Sequence, residues 1–407
     1  MTAPERDGDG TASDLFGAFL TRYPEASGQA GPLQHLRLAV KDNIAVKGEP
    51  FTAGLPLYAD RIATETAWAV NRLLDAGARF VGMTRTDAGG FGVTTPLVKN
   101  PALPGRVVGG SSGGGAAALA ADLADIALGT DTGGSVRIPA ACCGLVGFKP
   151  SHGLIPLEGV WPLAPSFDTV GLMARDLDAL AAAAATLLGL EQTKTSDASL
   201  RLGVDRNRLA GCDPAVAVNF ERAVEQLRKA GIEICTALLP DRDAAITAHS
   251  ILVLAEAREI YAHDWRTTPQ LFPDTAQRAL AAASRLTDDD IAAARKAIGD
   301  IRRMFDAACS GLDAILTPTL PVFPPDIGTE RIDIRGQRMS VITALIAETS
   351  LANATGGPAL SLPCASAAEL FVSLQLLAPH GEDARVLAAA AAVAALVRPH
   401  AGNSQAS

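Results

Sequence analysis

The chain has 407 residues, of which 48% are hydrophobic and 19% charged, enough apolar material for a sizeable core. Its net charge of −9, with no basic run, argues against a nucleic-acid surface, because neutralising phosphates takes clustered Lys and Arg. The six cysteines (142, 143, 212, 235, 309 and 364) show no CxxC spacing, so neither a disulfide framework nor a zinc site is expected, and the thiols read as buried and free.

Residues 1–14 are polar and acidic, lack the basic start and apolar centre of a signal peptide, and read as a disordered N-terminus. The folded domain is expected over 15–400. The longest apolar stretch, 387–397, is too short to span a bilayer, so a cytoplasmic protein is expected. Residues 36–46 predict a β-rich run with Lys41 in its middle. Helical spacing over 64–76 ends in Gly77, a C-cap residue, and 79–84 reads as a short strand. After a loop over 86–105 comes Gly109-Gly110-Ser111-Ser112-Gly113-Gly114-Gly115. An alanine-rich helix and the start of a strand fill 116–128. Then follows Gly129-Thr130-Asp131-Thr132-Gly133-Gly134-Ser135. Glycine loses the most entropy on folding, so this density points to positive φ values or to backbone lying close against a ligand.

Beyond the clusters, 138–143 predicts a short buried helix, 145–148 a strand, and 160–170 an irregular loop carrying Trp161 and Phe167. Strands at 201–204, 232–238, 312–317, 359–362 and 371–377 alternate with helices at 214–230, 245–263, 288–309, 342–354 and 383–397. Thr287 is placed to cap the third of these helices, and 193–199 is a polar surface loop. The alternation predicts an α/β fold: one domain with a mostly parallel, mixed central sheet and helices on both faces.

The two glycine clusters read as a serine-containing active site whose oxyanion hole is made of main chain. A serine nucleophile needs a base. None of the six histidines (35, 152, 249, 263, 380 and 400) sits in a motif, and Val136-Arg137 after Ser135 breaks the GxSxG elbow. Lys41 is the lysine set inside an apolar run upstream of the clusters. At an ordinary pKa of about 10.4 it is no base. Desolvation would make it one, whereas snorkelling to water would not. The residues alone leave this choice open. A reading from another class, an anion- or nucleotide-binding module, is weakened because Ala116-Ala117 stand where a P-loop has lysine and a hydroxyl residue.

The run GGSSGGGAAALAADLADIALGTDTGGSVRIPAACCGLVGFKPSHG, with AVKDNI around Lys41, resembles the signature region of the amidase signature family of Ser-cis-Ser-Lys hydrolases. The likeness covers most of 33–190 and weakens afterwards. It implies Ser135 as nucleophile, Ser111 after a cis peptide as proton relay, and Lys41 as general base. It also implies the N–H groups of Thr132, Gly133, Gly134 and Ser135 as oxyanion hole, with no cofactor and no metal. Ser112 and Asp131 are expected to hold their loops by local hydrogen bonds. Arg137 is expected to pair with Asp131 or with a substrate carboxylate. Phe91, Trp161 and Phe167 are candidate pocket residues. Gly115 departs from the serine common in the family.

The short N-terminus and the 149–171 segment most resemble compact amidases of the indole-3-acetamide hydrolase type. That implies a small-molecule amide cleaved to acid plus ammonia, with no nucleic-acid or membrane partner, by a monomer or homodimer. The alternative within the family is a glutaminase-type subunit of an amidotransferase.

Overall fold

The computed structural model describes residues 14–24, 28–190, 200–367 and 370–397. Residues 1–13 of the expected N-terminal tail and the 193–199 loop lie outside the described residues. Eleven strands form one sheet: β1 (Phe19–Arg22), β2 (Arg37–Lys41), β3 (Arg79–Thr84), β4 (Ile126–Thr130), β5 (Val146–Lys149), β6 (Val170–Ala174), β7 (Arg201–Val204), β8 (Glu233–Thr236), β9 (Ala314–Pro318), β12 (Ala359–Ala367) and β13 (Leu370–Leu377). A separate hairpin is made by β10 (Arg331–Ile334) and β11 (Gln337–Ser340). The spatial order in the main sheet is β1-β3-β2-β4-β6-β5-β12-β13-β9-β7-β8.

Both faces of the sheet are covered, which is why β4 and β9 are buried along their whole length and read as near-continuous apolar runs. Leu38, Val40 and Leu128 point to one side, into a core shared with the helices Trp68–Asp75, Leu177–Leu188, Pro214–Lys229 and Asp383–Leu396. Ala39 and Ala127 point to the other, against the alanine-rich helix Gly113–Ala120. Further along that side, Ile315 and Leu377 pack with Leu252 and Phe305, from the long helices Arg242–Ile260 and Asp288–Ala308.

The α/β class and the mixed sheet are as the sequence predicts, but parallel pairing is confined to two wings. The β3-β2-β4 and β9-β7-β8 blocks are parallel, while every pair from β4 through β6, β5, β12 and β13 to β9 is antiparallel. The reason lies in the connections. β5 joins β6 through a loop with no helix, and β12 joins β13 as a hairpin, so neither pair has the crossover that parallel strands need.

The helix predicted over 342–354 is interrupted, forming Val341–Ile346 and Ser350–Thr355 with Glu348 and Thr349 in the break. Thr287 caps its helix as expected: its hydroxyl accepts from the Asp290 N–H while the Asp290 carboxylate accepts from the Thr287 N–H. Sequence patterning missed the helices Leu177–Leu188 and Asp274–Ala283.

Candidate active site

Parallel pairing of Val40 with Leu128 brings the carboxyl ends of β2 and β4 to one edge, where chain reversals of an α/β sheet leave a crevice. Lys41 ends β2 and Thr130 ends β4. Lys41 is 1% exposed, and its Nζ lies 2.8 Å from both Ser111 Oγ and Thr130 Oγ1. Asn43 Nδ2 donates to the same Thr130 oxygen at 3.0 Å. Burial pushes the Lys41 amine down from 10.5 to about 7, against the upward pull of the carboxylates of Asp87, Asp131, Asp168 and Asp42. At this value the amine is a usable base at neutral pH.

Ser111 follows Gly110 through a cis peptide bond. Its carbonyl accepts from the Asp87 N–H at 3.1 Å and from Thr86 Oγ1–H at 3.0 Å. Position 110 admits only glycine, because a Cβ there would stand 2.2 Å from Asp87 Oδ2. The Ser112 N–H donates to the Ser135 carbonyl at 3.2 Å, and Ser112 Oγ to the Thr130 carbonyl at 3.4 Å, so this residue ties the two glycine clusters together.

The turn over 131–135 is held from several directions. His249 Nε2 meets the Thr132 carbonyl at 2.8 Å, and Thr349 Oγ1 donates to the Gly133 carbonyl at 2.7 Å. Asp131 Oδ1 accepts from the Gly134 N–H at 2.8 Å, and Thr132 Oγ1 donates to Asp168 Oδ1 at 2.6 Å. Among the described residues the N–H groups of Thr132, Gly133 and Ser135 make no hydrogen bond. Gly134, expected in the oxyanion set, therefore has its N–H already spent on Asp131. Its place in the turn is conformational: φ is +126°, and an added Cβ would lie 2.2 Å from Thr349 Oγ1.

Asp131 and Arg137 form a fully buried bidentate pair, with Arg137 Nε at 2.9 Å and Nη2 at 2.8 Å. Arg137 also donates to the Thr349 carbonyl, Gln375 and Asn353, so it faces inward and has no donor left for a substrate. Burial alone would raise the Asp131 carboxyl, but Arg137 and Asn353 together hold it well below the usual carboxylate range.

Ser135 opens on a cavity of about 300 Å³ whose walls include Phe91, Leu163, Val253, Ile342 and Ile346. Among the described residues, Arg278, exposed on the helix Asp274–Ala283, is the only charged side chain of that lining, and it makes no ion pair or hydrogen bond there. Phe91 lines the cavity, whereas Phe167 does not and lies edge-on to the His249 ring with centroids 4.9 Å apart. Trp161 is elsewhere, stacked on the Arg61 guanidinium at 3.8 Å and donating to Tyr261 Oη. Among the described residues no group of three or more His, Cys, Asp or Glu is placed to hold a metal ion.

Sequence reasoning missed Asn43, Thr130, His249, Thr349 and Arg278 as parts of the site. Asn43 and Thr130 carry a faint signal, being polar residues beside apolar strand runs. His249 and Arg278 come from distant helices and Thr349 from the break between two, and none carries a motif.

The whole arrangement can be set against known proteins. A family model described as Amidase matches residues 20–387. A glutamyl-tRNA(Gln) amidotransferase subunit from Halobacterium salinarum is 33% identical, covering 92% of this chain and 99% of the relative. The protein of the same name from Thermus thermophilus is 37% identical over 93% of this chain and 89% of its own. A solved structure described as that of an amidase is 34% identical with a TM-score of 0.85, covering 90% of this chain and 86% of that one. Two expectations need correction. The narrower likeness to indole-3-acetamide hydrolases is not what these relatives show. The expectation of a small-molecule amide as sole partner, without nucleic acid, for a monomer or homodimer, is overturned by relatives named for a tRNA and for membership of a larger assembly. Net charge averaged over one chain does not record what a larger assembly binds, so the acidic balance carried no weight on this point. Among the described residues no helix is long and apolar enough to cross a membrane.

Proposed function

The chain belongs to the amidase family, hydrolases that act through an acyl-serine, and on that premise we propose that Ser135 is its nucleophile, Lys41 its general base and Ser111 the relay between them. Neutral Lys41 Nζ takes the Ser111 hydroxyl proton as Ser111 Oγ takes that of Ser135. Ser135 Oγ attacks the amide carbon, and the developing oxyanion meets the unspent N–H groups of Thr132, Gly133 and Ser135. When the C–N bond breaks, the proton on Lys41 returns through Ser111 to the nitrogen, which leaves as ammonia. Water repeats the cycle in place of Ser135 and frees the acid. The observation that carries this reading is a fully buried amine 2.8 Å from Ser111 Oγ.

The amide source is a glutamine-like one, and the chain serves as the ammonia-producing subunit of a tRNA-dependent amidotransferase. The relatives' names support this, and so does Arg278, whose unpaired guanidinium, the one charged group among the described lining residues, suits a substrate carboxylate. The test is ammonia release from glutamine, alone and with partner subunits and Glu-tRNA(Gln), together with mass spectrometry of the trapped acyl-enzyme. Ser135→Ala abolishes both signals while leaving the circular dichroism spectrum unchanged. Full turnover by that variant would refute the assignment.

A further inference from the structure

We infer that His249 is a positioning residue which aims the Gly133 N–H at the oxyanion. The inference rests on Ser135 being the nucleophile, as proposed above. A carbonyl oxygen only accepts, so the 2.8 Å contact requires His249 Nε2 to carry the hydrogen and donate to Thr132 O. The 132–133 peptide unit is trans, and in a trans unit the C=O and N–H point in opposite directions. Fixing the Thr132 oxygen on one side therefore fixes the Gly133 N–H on the other. The next unit works the same way with a different outcome. Thr349 holds its carbonyl, and its N–H, that of Gly134, turns to Asp131. Of the two clamped units, the one held by His249 is the one whose N–H stays unspent, and Gly133 lines the cavity beside Ser135.

Packing alone does not explain an imidazole here. His249 is 3% exposed, its Nδ1 is buried with no partner, and its ring edge meets Phe167. A phenyl ring would fill the same space without leaving a lone pair unsatisfied. Burial lowers the imidazole to about 4, so it stays neutral and keeps this one tautomer at neutral pH.

The test follows acylation by p-nitrophenyl acetate, a probe independent of the natural amide, in the full chain. His249→Phe and His249→Leu remove the donor and are expected to slow acylation about 100-fold, the scale of losing one oxyanion donor, with KM changed less than about threefold. His249→Gln, which keeps an N–H in the Nε2 position, should return to within about tenfold of the parent. Two donorless variants are used so that a folding failure in one leaves the other to read. Either donorless variant acylating at the parent rate, or His249→Gln being as slow as they are, would overturn the inference. Ser135→Ala is the control that keeps the two proposals apart. If it is still acylated at the parent rate, the nucleophile assignment fails rather than the role of His249.

Discussion

Thr349 Oγ1 donates to the Gly133 carbonyl at 2.7 Å, across 216 positions of chain. The 341–355 segment that carries Thr349 is not one helix. Continuous helix would commit the Glu348 and Thr349 carbonyls to its own ladder, whereas the break leaves them to accept from Gln375 and Arg137. The close approach also demands glycine at 134. Gly134→Ala is expected to cost more than about 2 kcal/mol from clash and left-handed strain, and to abolish acylation. Urea unfolding at parental stability would count against this account.

As the proposed base, Lys41 is expected to set the pH dependence of acylation. Its folded value of about 7 means the neutral fraction grows tenfold per unit as pH climbs toward 7 and then saturates. Acylation should follow that curve, and a flat profile between about pH 5 and 9 would exclude Lys41 as base. Lys41→Arg should not rescue, since a guanidinium stays charged.

The same burial has a stability consequence. Between about 7 and 10.5 the unfolded chain binds more protons than the folded one at Lys41, and also at Lys149, which burial and then Arg137 lower to about 7. Stability from these two groups therefore rises with pH across that interval. Urea midpoints measured at pH 7 and 9 in Lys41→Met, compared with the parent, should show a smaller rise in the variant.

Arg137→Leu leaves the Asp131 carboxylate buried without its partner, and an expected loss of about 3–5 kcal/mol follows. Because the Asp131 carboxyl is held low, the pair's contribution is complete above the ordinary carboxylate range and fades as pH falls below about 4. Denaturation at pH 3 should show parent and variant converging.

Arg278→Ala should raise KM for glutamine about 10- to 100-fold, the worth of a charge-assisted hydrogen bond, with kcat nearly unchanged. An uncharged amide such as propionamide should be unaffected. Equal losses on both would show that Arg278 supports the fold of its helix rather than reading a carboxylate.

Much of the proposed centre is legible in the sequence because its parts are local and conformationally extreme. Two glycine clusters and an isolated strand lysine all lie before residue 136. What supports them is not legible. His249, Thr349 and Arg278 look like ordinary helix residues until the chain folds, and the helix Asp274–Ala283 hid among short apolar and charged alternations. Nine of the strands were readable from apolar runs, but β1, β6, β10 and β11 were not, and neither was strand direction. A loop without a helix between β5 and β6 reverses the chain, and hydropathy does not record direction.

The hairpin β12–β13 has an implication for synthesis. It fills the middle of the sheet, yet only about the last eighth of the chain supplies it, along with Gln375; Thr349 and Asn353 come shortly before. A ribosome that has made the first 340 residues has already delivered the amine and both hydroxyls but none of these clamps. The nascent enzyme is thus expected to emerge chemically complete yet inert, and to switch on only as its final segment threads between strands made long before.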